Sequence, residues 1–236
     1  MNVLAYRLIR GKSIITPRSF CPSCGNQLEW YDLIPVISWM LLRGRCRICK
    51  VPILVLYPFI EVLTAGVLAL LFVRVPAYYL PTYFIFFSAL IVTIRSDLET
   101  MLISRFVTMF LVPIGVFASF IGLLPISLIE SVLGFFLGYG FLWAMRAIAY
   151  QCTGKQGIGQ GDLDLLAFIG SFIGPFGCWI TLLIGSIAGS LVGIVYLTIG
   201  GASRETRIPF GPFLALGAVF FVLYNDYLRM LLFYFQ

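Results

Sequence analysis

Long apolar runs separated by short polar breaks dominate this chain after its first 51 residues. A helix that crosses a bilayer needs about 20 mostly apolar residues. The runs at 52–73, 76–94, 106–124 and 126–145 match that length, and Arg74, Arg95 and Arg146 close three of them. A glycine-rich polar interval follows. Then come a short run at 165–174 and two longer ones at 178–199 and 210–235, with Pro175-Phe176-Gly177 parting the fifth from the sixth. The pattern predicts an all-α, polytopic integral membrane bundle of about seven transmembrane helices over 52–236. A small polar segment, 1–51, precedes it.

Composition excludes the soluble alternatives. Of 236 residues, 61% are apolar and 11% charged, against about 45–50% and 25% in ordinary globular chains. The mean hydropathy is +1.01. A disordered chain, a secreted disulfide miniprotein and a coiled coil are excluded on the same grounds. The chain has no histidine. That removes Ser-His-Asp and Cys-His catalysis, HExxH zinc sites and haem histidines, and leaves carboxylates, cysteines, lysines and tyrosines for acid–base work.

Charge orients the bundle. The net charge is +6, and eight of the 16 Lys and Arg lie in the first 50 residues: Arg7, Arg10, Lys12, Arg18, Arg43, Arg45, Arg47 and Lys50. Glu29 and Asp32 alone oppose them there. Basic residues hold a flanking segment in the cytoplasm. Nucleic-acid binding uses similar charge, but topology explains it in a membrane chain, and no nucleic-acid partner is expected. The opening MNVLAYRLIRGK has too short an apolar run for a cleavable signal peptide. Threaded from an inside start, the loops at 95–105, 146–164 and 200–209 fall inside with Arg95, Arg105, Arg146, Lys155, Arg204 and Arg207. Only Arg74 and Arg229 fall outside.

This threading puts Asp97 and Asp162, 65 residues apart, on one membrane face at similar depth. Two neighbouring carboxyl groups share a proton, and such a pair can hydrolyse a peptide bond without histidine. Alternatively, each caps a helix or marks a boundary. Glu99 and Asp164 read as loop or supporting groups. Glu61 and Glu130 fall inside predicted helices, and Glu61 is placed to steady the pocket from a neighbouring helix. Gly157-Ile158-Gly159-Gln160-Gly161 resembles a dinucleotide fingerprint, but its third glycine comes one residue early and no βαβ unit surrounds it. These glycines instead let the backbone bend and a substrate approach.

Cys21-Pro-Ser-Cys24 and Cys46-Arg-Ile-Cys49 are two CxxC knuckles with 21 residues between them. Four thiolates at that spacing can close a tetrahedral zinc site, and a metal supplies folding energy that so short a segment lacks. A redox dithiol pair is the competing reading, which a cytoplasmic placement opposes. Cys152 and Cys178 stand alone. Trp30, Tyr31 and Trp39 form an aromatic cluster expected to lay this segment on the membrane over the aspartate pocket.

These motifs together resemble the prepilin peptidases, the aspartic membrane proteases of type IV pilus and type II secretion systems. The resemblance rests on CPSCGNQLEWYDLIPVISWMLLRGRCRICK, YPFIEVLTA, SDLETMLIS, GIGQGDLDLLAFIG and IPFGPFLALGA, and it covers nearly the whole chain. It implies catalysis by Asp97 and Asp162, and it places Cys21, Cys24, Cys46 and Cys49 in the family's cysteine-rich cytoplasmic loop. It implies cleavage after a glycine in the basic leader of type IV prepilin or pseudopilin precursors, at the cytoplasmic face of the inner membrane. It further implies methylation of the new N-terminus with S-adenosylmethionine. Family members usually carry one more N-terminal helix, ending in sequence similar to NVLAYRLI, where this chain begins. Asp164 stands where the family commonly has Lys, and Ser104 where Pro is usual. The competing functions are a transporter or channel with a zinc-stabilised cytoplasmic cap, a membrane disulfide oxidoreductase, and a protease of generic signal peptides.

Overall fold

The computed structural model describes residues 2–9, 13, 16, 18–154, 157–199 and 208–233, with side chains described except at Ile9, Ile199 and 226–233. Arg10, Lys12, Lys155, Arg204 and Arg207, which the threading used, lie outside these, as does the 200–207 segment. The helices are α1 (Asn2–Ile9), α2 (Ile37–Leu41), α3 (Leu56–Arg74), α4 (Leu80–Thr100), α5 (Arg105–Phe120), α6 (Leu128–Thr153), α7 (Gln160–Ile199) and α8 (Gly211–Phe233), with a 3-10 turn at Trp30–Leu33. Among the described residues β structure is limited to two isolated bridges.

Helices α3, α4, α6 and α7 are long and apolar enough to cross a membrane, and α5 and α8 supply shorter apolar helices. The protein is an all-helical, multi-pass membrane protein. α7 is of double length, and its expected break is a kink. Gly174 takes φ 75°, ψ −179°, a conformation open to glycine, and Pro175 follows it. Counting α7 as two rods gives the seven apolar helices that the runs predict.

Two boundaries move for local reasons. α4 continues through Arg95 to Thr100, because Arg95 is not a solvated stop. It is 1% exposed, pairs with Glu99 one turn on at 2.5 Å, donates to Asn2 of α1 at 3.1 Å, and lies over the Tyr57 ring. α6 starts at Leu128 behind a capping box, in which Ser127 and Glu130 satisfy each other's backbone N–H groups. Glu130 is therefore a capping residue and not an acid inside the helix.

Close helix packing rests on small residues, as expected where lipid removes the hydrophobic drive between helices. A Cβ on Gly134 of α6 would lie 2.1 Å from the Gly170 carbonyl oxygen of α7, and one on Gly138 would lie 2.6 Å from that of Leu166. Ser131 Oγ donates to the Ser171 carbonyl at 2.6 Å across the same seam. On the other face of α7, Phe172 stacks on Phe86 of α4 with ring centres 4.9 Å apart. α7 is thus the central rod, and its N-terminal turn is held in register with the ends of α4, α5 and α8.

Candidate active site and metal centre

Asp97 lies in the last turns of α4, buried at 5% exposure. Its Oδ2 accepts the backbone N–H of Gly211, the first residue of α8, at 2.9 Å. A helix start offers unpaired N–H groups and a positive dipole end, so α8 provides a natural carboxylate holder. A Cβ on Gly211 would sit 2.8 Å from that same oxygen and 3.4 Å from Ile103 Cδ1. Only glycine lets the backbone come so near.

Asp162, half-buried, lies in the first turn of α7. The Gly159 N–H points at its carboxyl group, and a Cβ on Gly159 would touch Asp162 Oδ2 at 3.2 Å. A Cβ on the adjacent Gly161 would meet Ile103 Cβ at 2.8 Å. Ile103, in the α4–α5 loop, is therefore a common wall, touched by Gly211 beside Asp97 and by Gly161 beside Asp162. Both aspartates are thus backed by glycines that border the same side chain, Ile103. Such a pair, with one end reached from water, can activate a water molecule and polarise a carbonyl.

The other acids are placed elsewhere. Glu61 accepts the Val36 N–H at 2.8 Å. It ties the cysteine segment to α3. Asp164 is no third open carboxylate: its side chain is 1% exposed, with Arg105 Nε 3.3 Å from Oδ2 and Gln160 Nε2 donating to Oδ1 at 3.1 Å. Sequence reasoning gave no role to Gly211 or Ile103. A glycine starting an apolar run, Gly211-Pro212, was the available signal for the first, since Pro at the second position of a glycine-led run marks a helix start.

The four cysteines converge. Their Sγ atoms all lie within 4.8 Å of one another, and Cys21 and Cys49 are 3.8 Å apart. A tetrahedron with Zn–S bonds of about 2.3 Å has S···S edges of about 3.8 Å, so the cage fits a metal of that size. Both knuckles have one design, repeated 25 residues on. Cys21 N–H donates to Asn26, and Cys46 N–H to Val51, each at 2.9 Å. Gly25 and Lys50 N–H return to Cys21 and Cys46 carbonyls, and both residues take left-handed φ, 70° and 58°. The bridges Phe20–Gln27 and Arg45–Pro52 close the two turns. Backbone N–H groups of Cys49 and Ile48 hold the Cys46 thiol down at about 7, the direction a metal ligand needs, while burial and the neighbouring thiols push Cys49 up to about 11. The expected aromatic cluster divides. Trp30 packs edge-on against Tyr31, while Trp39 lies on Gly44 and donates its indole N–H to the Ile53 carbonyl at 3.2 Å.

A multi-pass helical bundle with two carboxyl groups meeting at helix ends, and a four-cysteine cage on its N-terminal side, has the parts of a membrane-embedded peptidase. Comparison with known proteins agrees. Residues 1–75 match the bacterial peptidase A24 N-terminal domain, and residues 84–194 match the type IV leader peptidase family. The chain belongs to the type IV leader peptidase family. A prepilin leader peptidase/N-methyltransferase of Aeromonas hydrophila is 34% identical over 215 residues, covering 91% of this chain and 74% of the relative. One of the same description from Burkholderia pseudomallei (strain 1026b) is 37% identical over 209 residues, 87% of this chain and 66% of the relative. A Legionella pneumophila relative, again so described, is 35% identical over 216 residues, 91% and 75%. No solved structure matches. The protein is an enzyme of the peptidase class, and the transporter reading is not favoured.

Proposed function

We propose that the chain cleaves the basic leader of type IV prepilin or pseudopilin precursors after a glycine, at the cytoplasmic face of the inner membrane, and then methylates the new N-terminus. The observation that carries the peptidase reading is the meeting of Asp97 and Asp162 around Ile103, with the Gly211 N–H on Asp97. In this mechanism the pair shares one proton. The ionised member takes a proton from water as its oxygen attacks the scissile carbonyl. The protonated member hydrogen-bonds the carbonyl oxygen. Collapse of the tetrahedral intermediate breaks the C–N bond, and a proton passes to the departing amine.

Residues 1–51 form the cytoplasmic segment and 52–236 the peptidase body in this reading. Cys21, Cys24, Cys46 and Cys49 would hold a structural zinc, which folds the segment and takes no part in hydrolysis. The methyl transfer, with S-adenosylmethionine as donor, rests on the relatives' names, and no residue of this chain is assigned to that donor. The test is co-expression with a pilin-like precursor and mass spectrometry of its N-terminus. Wild type is expected to cut after the leader glycine and add one methyl group, while Asp97→Asn and Asp162→Asn accumulate and leave the precursor whole. Cleavage by either variant refutes the aspartic mechanism.

A further inference from the structure

Asp162 sits between two polar residues that face away from it. Gln160 and Asp164 are about one turn apart on α7 and share a face, whereas Asp162 lies about 200° round the helix from Gln160. The Gln160–Asp164 face is held from two neighbouring helices. Arg105 of α5 reaches Asp164 Oδ2 at 3.3 Å. The Gln160 side-chain amide donates to Asp164 Oδ1 and to the Tyr139 hydroxyl of α6, both at 3.1 Å. Arg146 of α6 donates to Gln160 Oε1 at 2.9 Å.

Two features single out the Arg105–Asp164 contact. Asp164 is buried, and its Oδ2 receives no hydrogen bond, so the Arg105 charge is what compensates that oxygen among the described residues. Arg105 is also the first residue of α5, where the helix dipole disfavours a cation. An opposite charge across the helix gap explains both placements. An uncompensated buried carboxylate is costly, so the α7 start is tied to the α5 start.

We infer that Arg105, Asp164 and Gln160 form a positioning latch that sets the rotation of the first turn of α7 and so aims Asp162 at Asp97. The latch rests on the peptidase reading. Its members touch no reacting atom. Their contribution is geometric, and a displacement of about 1 Å at a reacting group can cost roughly a hundredfold in rate.

The test uses the purified full chain with a pilin-like precursor, comparing wild type, Arg105→Gln, Asp164→Asn, the double variant, Gln160→Ala and Asp162→Asn. Each latch variant is expected to lose roughly tenfold in kcat with KM within about twofold, because aim is lost and substrate binding is not. The double variant falls no further than the worse single, since both break one contact. Gln160 is exposed, so Gln160→Ala keeps the experiment decisive if the buried Asp164→Asn fails to fold. If wild type leaves the precursor whole, or Asp162→Asn still cuts it, the peptidase reading falls and the latch with it. If wild type cuts and Asp162→Asn does not, wild-type kcat in Gln160→Ala, multiplying losses in the double variant, or losses carried by KM overturn the latch alone.

Discussion

Gly211→Ala isolates the contact between α8 and Asp97. The added methyl would stand 2.8 Å from Asp97 Oδ2 and 3.4 Å from its Cγ. Ordinary contact begins at 3.4 Å, so the carboxyl group must retreat by about 0.6 Å or swing away. Either movement lengthens the 2.9 Å bond from the Gly211 N–H. A hydrogen bond to a charged group contributes about 1.5–3 kcal/mol, and about 1.4 kcal/mol is a factor of ten. The rate of leader cleavage should therefore fall roughly ten- to hundredfold. Alanine is no worse a helix former than glycine, and Gly211 lacks a left-handed φ, so the backbone accepts the change and the loss of stability should stay within the roughly 1–3 kcal/mol of local overpacking. The assay is the cleavage rate of a pilin-like precursor per folded enzyme, with Asp97→Asn as the inactive reference. Wild-type cleavage by Gly211→Ala beside an inactive Asp97→Asn would refute the assignment of that N–H to the carboxylate.

Two further outcomes follow from the packing and the cage. Gly134→Ala brings a methyl within 2.1 Å of the Gly170 carbonyl oxygen, which forces α6 and α7 about 1 Å apart. Overpacking of this kind costs about 1–3 kcal/mol or more, so a drop in melting temperature is expected, with an unchanged melt refuting the close seam. Metal should be found at about one equivalent per chain and be lost with Cys46→Ser. Protons compete with the metal for the four thiolates, and increasingly so as pH falls. A chelator should therefore strip the metal faster at pH 6 than at pH 8, and the opposite trend would count against thiolate ligation.

The apolar rods were legible because hydropathy reports them directly: each run matches one helix or half of α7. What the sequence hid was how polar residues are satisfied. Arg95 and Glu130 looked like a helix stop and an intramembrane acid. Arg95 is instead buried against Asn2, Glu99 and Tyr57, and Glu130 caps α6 through Ser127. Asn2 and Tyr57 lie far from Arg95 in the chain, beyond any local spacing, whereas Glu99 one turn on and the Ser127–Glu130 box are local signals. Asp97 and Asp162 could be paired by topology, since alternate crossings fix which helix ends share a face. Their support by Gly211 and Ile103 depends on contacts between elements far apart in the chain. The cysteine cage was legible from spacing because each knuckle is built locally. Glu61 illustrates the opposite case, an acid whose partner is the backbone of Val36.

The 25-residue repeat of the knuckles has its own consequence. Each turn is closed by its own backbone bonds, including Leu28 to Ser19 and Ile53 to Gly44, and the stretch between them reaches the second knuckle through Trp39 and Asp32. That stretch is a cassette clasped at both ends, carrying the 3-10 turn and α2. Closing a longer flexible loop costs only about 0.6 kcal/mol per doubling of its length. Insertions there should be tolerated by the clasp, while the Asp32–Arg47 pair and the Glu61–Val36 bond dictate where the cassette lies. The N-terminal segment thus separates a fixed fastening from an exchangeable surface, so that surface can change in length or sequence without rebuilding the cysteine cage.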